Sequence, residues 1–247
     1  MRTYGGLILI SSLLLASCNP PAVVQPEPKK DPTPVLQLAA GTFVTQVQGS
    51  EKIGTSLLVK LALSDGSALT ESTQVTVTGP AGWNQDEPRV LTVYAKLYGT
   101  YFLSTTMAPV AGVYKVSATV AGQTYTATSG QISPASVLKS AVPIAATDDG
   151  TQVTVNWSPV DGAATYLHRV YPTLADAAGD RPLVAAANIA TQATSVTFPS
   201  SALTPNTSYD IGVLAFSAVV DVKKNFSVPT QFNTSNAYIA QPFFRTP

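Results

Sequence analysis

Two stretches of the chain decide its fold: TQVTVNW at residues 151–157 and LTPNTSY at residues 203–209, the second of which continues as DIGVLA at residues 210–215. In the first stretch every second residue from Val153 to Trp157 is apolar, and the continuation at residues 210–215 repeats this alternation. A period of two places alternate side chains on one face of an extended chain. We therefore expect two β-strands that each bury one face in a common core.

The order of large side chains in this half of the chain resembles that of a fibronectin type III domain. Tryptophan ends one strand, tyrosine lies on the next, and a Leu-x-Pro-x-x-x-Tyr motif enters a later strand, at Trp157, Tyr166, Leu203, Pro205 and Tyr209. The resemblance covers residues 136–235. It implies a sandwich in which Trp157 fills the space between two sheets and the Tyr209 hydroxyl bonds to the backbone near Leu203. It therefore implies structural roles for these five residues.

The first half, residues 35–132, shows the same signals of short strands. Residues 57–63 alternate and predict a strand with one buried face, and hairpin turns are predicted at Gly99-Thr100 and Ala121-Gly122. The sequence AGVY at residues 111–114 resembles the penultimate strand of bacterial immunoglobulin-like modules. The predicted fold class is all-β, with two tandem β-sandwiches, the first immunoglobulin-like and the second fibronectin type III-like.

The amino terminus carries an apolar run, residues 7–18, that ends in Leu15-Ala16-Ser17-Cys18. A helix needs about 20 apolar residues to cross a bilayer, so this run is better suited to a cleaved export signal. It resembles a bacterial lipoprotein signal peptide with its lipobox. The resemblance implies removal of residues 1–17, a lipid on Cys18, which is the sole cysteine, and a location in the cell envelope facing the periplasm or the exterior. A plain secretory signal with an incidental cysteine is the less favoured alternative.

Two further segments flank the sandwiches. Residues 18–34 are rich in proline, which favours an extended polyproline II spacer. Residues 236–247 form a tail with adjacent Phe243 and Phe244. This pair either docks on a partner or closes the lower end of a sandwich, and we favour closure or packing between the domains.

The sequence offers little for catalysis or for metal binding. Fourteen basic and fourteen acidic residues leave no net charge, which argues against a nucleic-acid partner. His168 is the only histidine, and no serine lies in a Gly-x-Ser-x-Gly motif, so we expect a structural histidine and no enzyme. Asp148-Asp149-Gly150 is the nearest candidate for calcium, but Asp-Gly is also typical of turns. No cofactor is predicted.

The expected function is a non-catalytic binding, adhesion or scaffolding module, held on a membrane through lipidated Cys18. Its expected partner is an envelope protein or a polysaccharide, while the ligand and the oligomeric state stay open. The long connection at residues 172–182 is the first place to look for recognition. Carbohydrate or cell-wall binding is the alternative, and it predicts an exposed aromatic platform drawn from Trp83, Tyr98, Tyr101 and Tyr171. For Trp83 we favour packing over the rim of the first sandwich.

Overall fold

The computed structural model describes residues 31–47, 50–67, 69, 71–93, 100–176, 179–189, 193–220 and 228–246. Pro32–Pro247 forms one compact unit, and the regular secondary structure of its described residues is almost entirely β-strand. Among the described residues, two short helical turns lie between strands, at Trp83–Asp86 and Ser200–Ala202. The strands are β1 (Pro34–Val47), β2 (Ser50–Leu63), β3 (Thr73–Thr78), β4 (Arg89–Val93), β5 (Thr100–Thr105), β6 (Lys115–Val120), β7 (Gln123–Thr128), β8 (Ile144–Asp148), β9 (Gln152–Trp157), β10 (Thr165–Pro172), β11 (Ala185–Ile189), β12 (Ser195–Pro199), β13 (Thr207–Phe216), β14 (Thr234–Tyr238) and β15 (Phe243–Arg245).

The first sandwich packs strands β1, β2 and β5 against a four-stranded sheet in the order β4-β3-β6-β7. Its core contains the inward side chains of both sheets, including Leu57, Val75 and Val116. The predicted hairpin at Ala121-Gly122 is confirmed, because β6 and β7 pair antiparallel on either side of these two residues. Both have positive φ, 48° and 78°, as the two-residue turn of a tight hairpin requires.

The other predicted hairpin, at Gly99-Thr100, stays a prediction, because Gly99 of its turn lies outside the described residues. Strand β4 pairs with β3 in one sheet, whereas β5, which begins at Thr100, pairs with β2 in the opposite sheet. The connection, residues 94–99, lies outside the described residues. Both segments present alternate apolar side chains to the same core from opposite sides, so their alternation is identical to that of a hairpin.

The second sandwich has the strand arrangement of a fibronectin type III domain. One sheet has the order β12-β9-β8, and the other contains β11, β10, β13 and β14. Its core includes Val153, Val155, Ile211 and Val213, the alternating residues that predicted strands here. The chain is therefore all-β, with an immunoglobulin-like sandwich followed by a fibronectin type III-like one.

A single sheet runs through both sandwiches. Strand β1 pairs in parallel with β14, and Phe43, Val44 and Thr45 lie opposite Thr234, Ser235 and Asn236. The order of this sheet is β11-β10-β13-β14-β1-β2-β5, with β15 also pairing with β13. The backbone hydrogen bonds of the sheet therefore continue from one sandwich into the other.

Side-chain hydrogen bonds reinforce this junction. The Thr42 amide donates to Asn233 Oδ1 at 3.0 Å, and the Thr42 hydroxyl donates to the Ser136 carbonyl at 2.6 Å. The Ser235 hydroxyl donates to the Lys139 carbonyl at 2.7 Å. Thr42 and Ser235 are fully buried, so these bonds satisfy polar groups that water does not reach.

The expectation of one buried face for residues 57–63 is wrong, because both faces of β2 are covered. Leu57 packs in the first core, while Leu58 faces the other way and is equally buried. Leu58 packs in a third cluster with Ala39 of β1 and with Phe216 and Phe232 from the second half of the chain. The connection after β13 therefore covers part of the outer face of the shared sheet.

The carboxyl-terminal tail belongs to the second sandwich. Phe243 and Phe244 lie on β15, which pairs with the start of β13. Phe243 packs against the second core, as closure of that end requires, whereas the Phe244 side chain is 53% exposed. At the other end of the described chain, β1 begins at Pro34, the last residue of the predicted spacer. No helix among the described residues is both long and apolar enough to cross a bilayer.

Candidate functional site

Four of the five residues that carry the fibronectin resemblance are buried in the core of the second sandwich. Trp157 and Tyr166 are buried with their ring centroids 5.5 Å apart, and the Tyr166 hydroxyl accepts the Val160 amide at 2.9 Å. The Tyr209 hydroxyl accepts the Thr204 amide at 2.7 Å and donates to the Thr204 carbonyl at 3.4 Å. Leu203 is buried beside this corner and Pro205 is exposed at the turn. The four buried residues therefore pack the core of this sandwich, whereas a structural role for Pro205 stays a prediction.

His168 lies on the inner face of β10, where it is 1% exposed. Its Nδ1 accepts the Ala187 amide at 2.8 Å, and its ring stacks on Phe198 with centroids 5.6 Å apart. Burial lowers the pKa of His168, so the imidazole is neutral at pH 7. Its Nε2 has no hydrogen-bond partner among the described residues. The ring is closed off from solvent, so this environment is that of a core residue.

In the acidic turn before β9, the carboxylate oxygens accept hydrogen bonds that stabilise the turn itself. Asp148 Oδ1 accepts the Gly150 amide and the Ser200 hydroxyl, and Asp149 Oδ1 accepts the Thr151 and Gln152 amides. The hydrogen bond from Ser200 is the main cause that lowers the pKa of Asp148, and the bond from the Gln152 amide is the main cause for Asp149.

The same turn is tied to the carboxyl terminus. Arg245 Nη1 lies 2.8 Å from Asp148 Oδ2 in a largely shielded ion pair. Within the described part of the chain no group of three or more His, Cys, Asp or Glu side chains is placed to hold a metal ion. The carboxylates of this turn therefore secure the β8–β9 connection and β15.

Trp83, Tyr101 and Tyr171, the residues of the proposed carbohydrate platform that the structure describes, do not form one. Trp83 is 1% exposed, its Nε1 donates to Thr55 Oγ1 at 3.0 Å, and its ring meets Tyr114 edge-on at 5.2 Å. Tyr101 packs against the same first core, and Tyr171 lies on β10 of the second sandwich. Tyr98 lies outside the described residues. A ligand-facing role for Trp83 is therefore wrong, because a large apolar ring with one donor is more stable buried with that donor paired.

The long connection at residues 172–182 is tethered at its base. Arg181 Nε donates to the Pro172 carbonyl at 2.7 Å, and its guanidinium forms an ion pair with Asp210. The Asp176 side chain accepts the Asp180 amide at 2.9 Å. Leu174 at the start of the loop is 81% exposed. A role for this loop in recognition stays a prediction, as does lipidation of Cys18, which lies outside the described residues.

A groove of about 470 Å³ lies on the outer face of the shared sheet, where strands of both sandwiches meet. Its lining is Phe43, Leu103, Ser104, Arg169, Leu214, Asn236 and Tyr238. The residues come from β1, β5, β10, β13 and β14, so the groove exists only because the sheet is continuous. Sequence reasoning missed it, since no local pattern shows that Ser104 and Arg169 line one surface.

No protein-family model matches the chain, and neither does any curated protein sequence. Among solved structures, the chain is similar to a crystal structure of the FN1–FN3 domains of chicken CNTN1, at 18% identity and a TM-score of 0.28, covering 72% of this chain and 61% of that one. It is also similar to domains A168–A170 of titin, at 14% identity and a TM-score of 0.30, covering 87% of this chain and 68% of that one. The chain thus spans about three fifths of the CNTN1 structure.

Proposed function

We propose that the protein is a lipid-anchored, non-catalytic binding or scaffolding module of a bacterial cell envelope. The observation that carries the anchor is the sequence Leu15-Ala16-Ser17-Cys18 at the end of an apolar run. Small residues before the cysteine give a signal peptidase access to the backbone. A lipidated amino terminus holds a protein on a bilayer, at about 0.8 kcal/mol for each buried methylene group.

The fold supports a binding or scaffolding role over a catalytic one. The polar side chains that first suggested chemistry have structural partners: His168 accepts a backbone amide, and Asp148 and Asp149 accept the amides of their own turn. The shared sheet joins the two sandwiches without a hinge in its ladder of hydrogen bonds. Such an assembly keeps its loops and its outer face in a fixed relation, which suits the positioning of a partner.

Metabolic labelling with palmitate tests the anchor. We expect labelled wild-type protein in the membrane fraction and no label on Cys18→Ala, because only a thiol can form the thioether. Ser17→Ala is the matched control, since alanine keeps a small side chain before the cysteine, and it should be labelled like the wild type. Unlabelled wild-type protein released into the medium would refute the anchor.

A pull-down from envelope fractions tests the binding role. The full chain is the bait, and a wall-polymer fraction is tested beside the envelope proteins. A partner that is retained by the wild type and lost on replacing exposed Leu174 with Asp would place the contact on the loop at residues 172–182. Turnover of a retained molecule by the purified protein would contradict the non-catalytic role.

Carbohydrate or cell-wall binding is a second candidate function, and the groove on the outer sheet face favours it. The groove on the outer sheet face combines a cation, hydroxyl and amide groups, and an exposed aromatic side chain. Its residues are not those first expected for a platform.

A further inference from the structure

The groove on the outer sheet face contains a cation without a carboxylate partner. Arg169 is half-buried, and its Nη2 donates to Asn236 Oδ1 at 3.3 Å. No carboxylate of the described residues forms an ion pair with it, and its Nε is buried without a hydrogen-bond partner. Shielding a guanidinium from water is costly unless an anion or several acceptors replace the water. The positive charge of Arg169 is therefore not balanced by an acidic side chain of the described residues.

A second buried polar group faces the same groove. The Ser104 hydroxyl on β5 has no partner among the described residues, although its oxygen is shielded from solvent. A hydroxyl can both donate and accept a hydrogen bond. The Asn236 side chain on β14 still has its amide NH₂ donors available, because only its Oδ1 is bound to Arg169. The groove thus presents the Arg169 guanidinium, the Ser104 hydroxyl and the amide donors of Asn236.

The guanidinium is held in place by its neighbours on the sheet. Its carbon lies 5.8 Å from the centroid of the Tyr171 ring, which stacks beside it on the same face of β10. Stacking on an aromatic ring and the bond to Asn236 fix the direction of the fork before any ligand arrives. Arg181 also lies against the Tyr171 ring, with its guanidinium carbon 5.9 Å from the centroid, and is already paired with Asp210.

Tyr238 supplies an aromatic wall close to this cation. Gly212 pairs with Arg169 on one side and with Tyr238 on the other. A β-carbon built on Gly212 would lie only 2.9 Å from Tyr238 Cε1, so the ring rests on the sheet over the glycine. The Tyr238 side chain is nevertheless 43% exposed. A flat exposed ring beside a hydrogen-bonding groove is suited to the apolar face of a sugar.

We propose that this groove binds a sugar acid, a pyranose ring that carries a carboxylate. The inference deepens the carbohydrate-binding role proposed above and rests on it. The carboxylate pairs with the Arg169 fork, ring hydroxyls bond to Ser104 and Asn236, and the ring stacks on Tyr238. A volume of about 470 Å³ accommodates one such residue and leaves the groove open for a chain to continue. A neutral sugar would leave the guanidinium uncompensated, so it binds more weakly.

Titration of the isotope-labelled full-length protein with glucuronate, followed by amide chemical shifts in NMR, tests the site. We expect shifts on β5, β10 and β14, and an affinity at least tenfold higher for glucuronate than for glucose, as loss of a charge-assisted bond predicts. Arg169→Met should weaken glucuronate binding at least tenfold. Arg181→Met is the matched control, because it removes the neighbouring charge outside the groove lining, and it should change the affinity less than about twofold.

Tyr238→Ala is a second variant that tests the same site if Arg169→Met does not fold. Tyr238 is exposed, so its removal should preserve the fold and still weaken glucuronate binding. Equal affinity for glucose and glucuronate, shifts confined to other strands, or tighter binding of a short peptide through its carboxylate would each overturn the proposal. The pull-down with the wall-polymer fraction tests carbohydrate binding anywhere on the protein, so failure of that role and failure of this site are separable.

Discussion

Replacing Phe232 with Ala should strongly destabilise the protein, because this side chain seals the outer face of the shared sheet. Phe232 is fully buried and stacks on Phe216, with ring centroids 5.5 Å apart and planes 15° apart. It packs in the cluster that contains Leu58 of the first sandwich and Leu214 of the second. Truncation of such a phenylalanine removes buried apolar area and leaves a cavity, and costs about 3–5 kcal/mol.

The assay is urea unfolding followed by tryptophan fluorescence. The two tryptophans report both halves, because Trp83 lies in the first core and Trp157 in the second. A loss of about 3–5 kcal/mol corresponds to a fall in melting temperature of roughly 6–20 °C for a chain of this size. Phe244→Ala, the same change at an exposed position, should cost less than about 0.5 kcal/mol. A Phe232→Ala variant as stable as Phe244→Ala would refute the claim that this ring seals the sheet.

Two further predictions concern buried polar groups. Burial lowers the pKa of His168 in the folded state. Below pH 6.5 the unfolded chain therefore binds a proton at this histidine more readily than the folded chain does. The free energy of unfolding should fall as the pH drops, by at most about 1.4 kcal/mol per pH unit. His168→Gln should abolish this part of the slope in urea unfolding between about pH 6.5 and 5, and an unchanged slope would exclude the histidine as its source. Tyr209→Phe removes the acceptor of the Thr204 amide and should lower the free energy of unfolding by about 1–3 kcal/mol. Tyr238→Phe, at an exposed position, should leave it almost unchanged. Equal losses in the two variants would contradict a stabilising role for the Tyr209 hydroxyl.

Local patterns in the sequence predicted those parts of the fold that depend on neighbouring residues. The period of two around Val153 and Ile211 fixed which side chains face the second core. The Ala121-Gly122 hairpin was predictable because two alternating strands flank a two-residue connection that contains a glycine, which readily adopts the positive φ that a tight turn needs. The same reasoning could not show that β4 and β5 join different sheets, since alternation along a strand says which face is buried and not which sheet the strand joins.

The junction and the groove depend on contacts between residues far apart in the chain. Leu58 is buried on the outer face of the sheet because Phe232, which lies 174 positions later in the chain, packs against it. Ser104 and Arg169 line one groove only after β1 has paired with β14. No composition or spacing near either residue encodes that pairing, so the candidate ligand site was not visible in the sequence.

The central claim is that the two sandwiches form one cooperative body through the shared sheet, and differential scanning calorimetry of the wild-type protein tests it most directly. A single transition is expected, with a calorimetric enthalpy equal to the van't Hoff enthalpy, because the β1–β14 ladder and the cluster around Phe232 must break together. Two resolved transitions, or a calorimetric enthalpy about twice the van't Hoff value, would show two independently folding sandwiches and contradict the claim.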